Sequence, residues 1–154
     1  MIFVILGTHE LSFVRLLNYL EKMDIKEDVV IQSGNTPFTS KKYKVIPFLA
    51  QGEFDEYINK SDLVITHGGV GSIFTAFKYN KKVITMPRLS KYNEHNDDHQ
   101  LEICEKFDRE GYTKNCTDYD TLEKSIKTYK DIEFKKYKFD NSRILNYLNK
   151  IILE

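Results

Sequence analysis

Cysteine is scarce in this chain, neither sign of charge is in excess, and no hydrophobic run approaches the length of a membrane span. The two cysteines, Cys104 and Cys116, form no CxxC pair and no Cys/His zinc spacing. That excludes a disulfide framework or a zinc cluster and reads as two free thiols in a reducing cytosol. Lysine plus arginine and aspartate plus glutamate each number 23. No global field therefore draws the chain to nucleic acid or to an anionic membrane, and any anion site must be local. The apolar start, Met1 to Leu6, is far too short to cross a bilayer and lacks the basic region of a signal peptide, so it reads as a strand. We expect a cytoplasmic chain whose attachment to a membrane would run through a partner.

What is present is the alternation of an α/β fold. At 154 residues the chain has room for one compact domain and not for two. Short β-branched runs alternate with segments of helical period, the pattern of a Rossmann-like parallel sheet flanked by helices. Strands are expected at Ile2 to Leu6, Val29 to Gln32, Lys44 to Ile46, Asp62 to Thr66 and Lys82 to Met86, with an edge strand over 112–115. Phe13, Leu16, Leu17, Leu20 and Met23 make one apolar helix face. Further helices are expected over Gln51 to Asn59, Val70 to Tyr79, residues 97–109 and Asp118 to Tyr129, while 88–96 shows no period. Residues 1–130 read as the domain. Residues 131–154 read as a connector and an amphipathic helix from about Asn141, part of that domain or docked on a partner.

The most informative stretch is Ser61 to Thr75. A buried strand delivers His67-Gly68-Gly69-Val70-Gly71-Ser72 onto the start of a helix, where free N–H groups and the helix dipole favour an anion. Glycines there let a diphosphate approach the main chain, Ser72 adds a hydroxyl, and His67 stands at the carboxyl end of its strand. No lysine follows Gly71, so the stretch is not a P-loop, and Phe74 fills the place of a dinucleotide fingerprint's third glycine. The plain alternative is a tight strand-to-helix turn.

Two more loops open at the same edge of such a sheet. The stretch Pro87 to Gln100 offers Arg88 to a phosphate and Asn93, Glu94, Asp98 and Gln100 to sugar hydroxyls. Alternatively it is a solvated loop in which Asp97 or Asp98 supports a helix start. After the first strand, Gly7-Thr8-His9-Glu10 places a candidate general base at His9, with Glu10 as the competing carboxylate. Its alternative is that Thr8 caps the helix and His9 is merely exposed. Adjacent Asp97 and Asp98 point apart and lack a third ligand, so no metal site is expected.

In this order, Gly7-Thr8-His9-Glu10 with Phe13 and Arg15-Leu16, then Ser-Asp-Leu-Val-Ile-Thr-His-Gly-Gly-Val-Gly-Ser, then Pro-Arg and Asn-Glu-His-Asn-Asp-Asp-His-Gln resemble glycosyltransferase family 28, C-terminal-domain type. The likeness runs from residue 1 to about 130 and is nearest to stand-alone catalytic subunits of bacterial capsule and exopolysaccharide assembly. Those subunits are similar to the small subunit of the eukaryotic enzyme that adds the second N-acetylglucosamine to dolichol-diphosphate sugars. The resemblance implies the donor-binding half of a GT-B enzyme split over two chains, with a membrane-associated partner holding a lipid-diphosphate-linked acceptor. It implies that His67, Gly68, Gly69, Gly71 and Ser72 hold the diphosphate of a UDP-sugar, that Gly7 and Thr8 flank it, and that Asp98, His99 and Gln100 touch the sugar. The implied reaction is an inverting, metal-independent transfer of a hexose, galactose first, needing no cofactor beyond the donor. One departure stands out: relatives commonly carry a ribose-binding Glu where this chain has Thr75, which leaves Glu94 or another group to substitute, or the donor to bind weakly until the partner is present. A non-catalytic scaffold subunit is the rival reading, and an epimerase or hydrolase of the same fold family is a third.

Overall fold

The computed structural model describes residues 1–140 together with Asn146 and Lys150. The expected tail helix, with its apolar stripe from Ile144 to Ile152, lies outside the described residues.

Six strands form one parallel sheet: β1 (Ile2–Ile5), β2 (Val29–Gln32), β3 (Lys44–Ile46), β4 (Leu63–Thr66), β5 (Lys82–Thr85) and β6 (Lys114–Asn115), in the order β3-β2-β1-β4-β5-β6. The central strands are buried on both faces, which is why they read as unbroken apolar runs. Alternation divides them between two cores. Ile2, Val4, Ile31, Leu63, Ile65 and Ile84 face α1 (Val14–Lys22) and α5 (Tyr119–Thr128), meeting Leu16, Leu17, Leu20, Leu122 and Ile126. Phe3, Ile5, Val30, Val64 and Val83 face the other side. There α2 (Gln51–Lys60), α3 (Val70–Lys78) and α4 (His99–Arg109) supply Ile58, Ile73, Ala76, Phe77 and Phe107. Each fully buried aliphatic side chain contributes on the order of 2 kcal/mol of apolar transfer.

Local polar bonds fix the ends of these elements. Asp118 caps α5, its Oδ1 accepting from the Thr121 N–H at 2.8 Å. At the other end of α5, Lys82 donates to the carbonyls of Tyr129, Lys130 and Ile132. A cation among the carbonyls beyond a helix C-terminus is a favourable helix stop. Thr8 does not cap α1, contrary to the alternative reading of that loop. The N–H of Phe13 donates instead to Thr36 Oγ1 at 2.9 Å, from the loop after β2. The aperiodic stretch holds a short 3-10 turn at Ser90–Tyr92. After α5 the connector runs back over α3 and α4, where Tyr137 stacks on Phe77 at 5.1 Å and the Lys135 N–H donates to Gly111.

The order of strands positions the site. From β1 the chain first moves outward to β2 and β3, then returns to the other side of β1 with β4. The loops after β1 and β4 therefore diverge at the carboxyl edge, and the crevice between them is where open α/β sheets take ligands. No described helix is long and apolar enough to cross a membrane.

Candidate functional site

At that divergence lies a cleft of about 600 Å³. Gly7, Thr8 and His9 from the β1 loop form one wall, and His67, Gly69, Gly71, Ser72 and Thr75 from the β4 loop and α3 form the other. Gln32, Phe48, Leu49, Gln51 and Phe54 close one end, with Gln100 behind. No Asp, Glu, Lys or Arg is among these lining residues, so a bound anion would rest on neutral donors. A larger cavity of about 870 Å³ lies between α4 and the connector, away from the sheet's carboxyl edge and from every glycine of the loop. Chemistry and topology assign the site to the smaller cleft.

His67 is its centre. The ring is 8% exposed. Its Nδ1 accepts from the Gly69 N–H at 3.1 Å and stands 3.1 Å from the Gln100 side-chain amide. With Nδ1 accepting, the proton of the neutral ring sits on Nε2. Burial, reinforced by the Arg88 cation, pushes the His67 pKa down to about 4, so the ring is neutral at physiological pH. Nε2 faces the β1 loop: a β-carbon added to Gly7 would stand 2.5 Å from it.

The glycines divide by role. Gly7 has φ +75° and leaves no space beside His67; a side chain at Gly69 would strike the same ring, and one at Gly68 would strike the backbone of Gln100. These three answer first to packing, as the turn reading anticipates. Gly71 is different, because a β-carbon there meets nothing within 4 Å. Nor are all the loop amides free. Gly68 N–H donates to Gln100 Oε1 and Gly69 N–H to His67, leaving the first-turn N–H groups of Val70, Gly71 and Ser72 directed toward an external acceptor. The cradle is the first turn of α3 rather than the whole loop. Thr75 lines the cleft with its hydroxyl donated back to the Gly71 carbonyl at 2.8 Å.

The Pro87 to Gln100 stretch departs from expectation. Arg88 is 1% exposed and donates to the carbonyls of Leu6, Leu11 and Glu94, with its guanidinium 5.0 Å from the Phe13 ring. It therefore braces the β1 loop and is not available to a phosphate. Glu94 is also buried, held by Arg15 and by the Leu89 N–H, so it reads neither sugar nor ribose. Asn93 adopts a left-handed turn at φ 54° and lines a separate depression beside α1. Asp98 accepts from the Ser90 N–H, and His99 lies exposed beside Asp97 and Glu102; neither reaches the cleft wall. The first turn of α4 is supported by Asp97, whose Oδ1 accepts from the His99 N–H. Of this stretch only Gln100 lines the cleft, and both ends of its amide already have protein partners.

His9 stands at the mouth of the cleft with its ring 4.6 Å from that of His95. Burial first, then His95 and Arg88, lower its pKa from the ordinary value. Its Nδ1 accepts from the Leu11 N–H at 3.1 Å, which places the proton on Nε2. In this conformation His9 offers a donor, whereas a base needs a bare nitrogen. Gln32 and Phe48 are site residues that the sequence reading passed over. Gln32 terminates an apolar strand and ties the β1 loop down, accepting from Gly7 N–H and donating to the carbonyls of Gly7 and Pro47. Phe48 leaves an aromatic ring 55% exposed at the cleft rim. Among the described residues no three His, Cys, Asp or Glu side chains come together as metal ligands.

The sequence model of the glycosyltransferase family 28 C-terminal domain matches residues 1–150. The chain belongs to that family. It is 30% identical over 115 residues to the UDP-N-acetylglucosamine transferase subunit ALG13 of Candida albicans, covering 75% of this chain and 35% of that protein. Identity to the Saccharomyces cerevisiae subunit of the same name is 37% over 81 residues, covering 52% of this chain and 38% of that protein. The chain thus spans little more than a third of these two relatives. Among solved structures, the NMR structure of ALG13 superposes with a TM-score of 0.59 at 21% identity, over 96% of this chain and 93% of that one. Acinetobacter baumannii MurG gives 0.56 at 16% identity, over 82% of this chain and 40% of that one. Both support the Rossmann-like fold of a GT-B C-terminal domain, as the sequence led us to expect.

Proposed function

We propose that this chain is the donor-binding half of a two-part glycosyltransferase and that the cleft holds the UDP of a UDP-sugar. One observation carries the reading: the first turn of α3, whose Gly71 and Ser72 N–H groups have no protein acceptor, and a neutral His67 with its proton on Nε2 line a cleft with no Asp, Glu, Lys or Arg. Such an arrangement stabilises a diphosphate through fixed dipoles, and it does so most where charge develops as the diphosphate leaves. Ser72 adds a hydroxyl, and the exposed Phe48 ring at the opposite end suits a nucleobase.

The site as drawn lacks a base for the acceptor hydroxyl, because His9 presents its proton. We assign the base and the acceptor, a lipid-linked saccharide, to a membrane-associated second subunit. Transfer is then a single inverting displacement with no metal and no covalent intermediate. We put UDP-N-acetylglucosamine first among donors, a choice that the relatives' names support; UDP-galactose in capsule or exopolysaccharide assembly is the alternative form of the proposal.

Isothermal titration of UDP in the presence of EDTA, on the chain and on its His67→Ala, Ser72→Ala double variant, tests the reading. Binding by the first and not the second is expected. A chain that fails to bind UDP even with its partner subunit present is a scaffold, and the proposal falls.

A further inference from the structure

The side chain of Gln100 bridges two loops and a ring. Its Oε1 accepts from two backbone donors, the N–H groups of Gly68 and Arg88, each at 3.1 Å. Backbone N–H groups cannot exchange roles, so they fix which end of the amide is oxygen. The other end is then an NH₂ donor, and it stands 3.1 Å from His67 Nδ1. Gly69 N–H donates to the same nitrogen. Two donors converging on Nδ1 leave it no place for a proton.

We infer that Gln100 is a positioning residue that holds His67 as its Nε2–H tautomer, so that the ring presents a neutral hydrogen-bond donor to a ligand in the cleft. The assignment goes beyond the proposed donor site, and its functional meaning rests on that reading. A neutral donor adds no standing charge to the cleft yet strengthens its bond as negative charge grows on the leaving diphosphate, whereas an imidazolium would grip the bound donor and the released product alike. This also explains why a glutamine, rather than a carboxylate, follows His99. A glutamate here would offer Nδ1 a lone pair, call a proton onto it, and turn the ring into a cation. Arg88 belongs to the same device, since its N–H fixes the amide while its side chain braces Leu6 and Leu11 on the opposite wall.

The test is ¹⁵N-detected imidazole spectroscopy of the full chain, with the His67 signals assigned by their loss in His67→Asn. In the wild type, Nδ1 should show a pyridine-type and Nε2 a pyrrole-type shift, unchanged from pH 8 to pH 6. In Gln100→Glu, Nδ1 should become protonated as the pH approaches 6, moving the ring's titration upward by about two units or more. UDP affinity in that variant should then change with pH across this range beyond the change that the ligand's own terminal phosphate, titrating near pH 6, gives in the wild type. A wild-type ring protonated on Nδ1 would overturn the inference, and so would a folded Gln100→Glu variant with unchanged tautomer and titration. Because the spectra need no ligand, a wild-type chain that shows the expected tautomer but binds no UDP even with the second subunit present would refute only the donor-site reading and leave the assignment of Gln100 standing.

Discussion

Arg15 and Glu94, one on the first helix and the other on the loop after β5, meet in a two-pronged ion pair. Nε to Oε1 and NH2 to Oε2 are both 2.8 Å. The side chains are 11% and 4% exposed, and Arg15 also donates to the carbonyls of Pro87 and Thr117. Removing one partner of so buried a pair leaves an uncompensated charge, at a cost of roughly 3 kcal/mol or more. Glu94→Ala should therefore lower the urea midpoint strongly, and the Arg15→Ala, Glu94→Ala double variant should lose less than the sum of the two single changes. If Glu94→Ala kept its stability and lost only UDP binding, Glu94 would be reading the ligand after all.

The fate of Glu94 and Arg88 shows where the sequence is legible and where it is not. β1, β4 and β5 announce themselves because a parallel strand covered on both faces must be apolar throughout. The helix faces follow from spacing, and the loops after β1 and β4 had to open at one edge once the sheet was parallel. The segment 88–96 carries no period, and the carbonyls that capture Arg88 belong to Leu6 and Leu11, which no local rule connects to it. Its charge was visible; its burial was not. Gln100 was legible as a polar residue of the site, but its duty toward His67 depends on Gly68 and Arg88 fixing the amide. Gln32 carried a usable signal, a polar residue ending an apolar strand at the carboxyl edge. Phe48 carried less, since a ring after Pro47 reads equally well as core.

Two glycines of the cleft should answer oppositely to alanine. Gly7→Ala forces a side chain into a left-handed backbone at φ +75° and against His67. It should cost on the order of 1–2 kcal/mol in stability and abolish UDP binding. Gly71→Ala meets no protein atom and sits in a helix, where alanine gains up to about 1 kcal/mol over glycine. Thermal melts should show a chain as stable as the wild type or more so, while UDP titration shows about tenfold weaker binding or worse if a phosphate lies against the first turn of α3. Undiminished affinity would move the phosphate elsewhere.

His67 gives stability a specific dependence on pH. Its folded pKa, pushed down to about 4 by burial and Arg88, lies below the ordinary 6.5. Between these values the unfolded chain binds the extra proton, so stability is full above pH 6.5 and falls as acid approaches pH 4. The whole contribution is on the order of 3 kcal/mol. Urea unfolding at pH 7 and pH 4.5 should show a smaller difference for His67→Gln than for the wild type. Equal differences would mean that the ring is not held neutral by the fold.

Phe48 separates the two ends of the proposed ligand. Its ring is 55% exposed and outside both hydrophobic cores, so Phe48→Ala should change the free energy of unfolding by less than about 0.5 kcal/mol. Stacking of a base on an aromatic ring contributes about 1–3 kcal/mol, so loss of the ring should weaken UDP roughly tenfold. A base contact must weaken uridine and UDP by the same factor, because neither the ring nor the base senses the diphosphate. Ser72→Ala, at the other end of the cleft, should weaken UDP and leave uridine untouched. Titrating both ligands into both variants therefore tests orientation as well as binding. If Phe48→Ala binds UDP as the wild type does, the exposed ring is not a base platform, and an exposed aromatic at the rim of a half-site would then be sought in the contact with the second subunit.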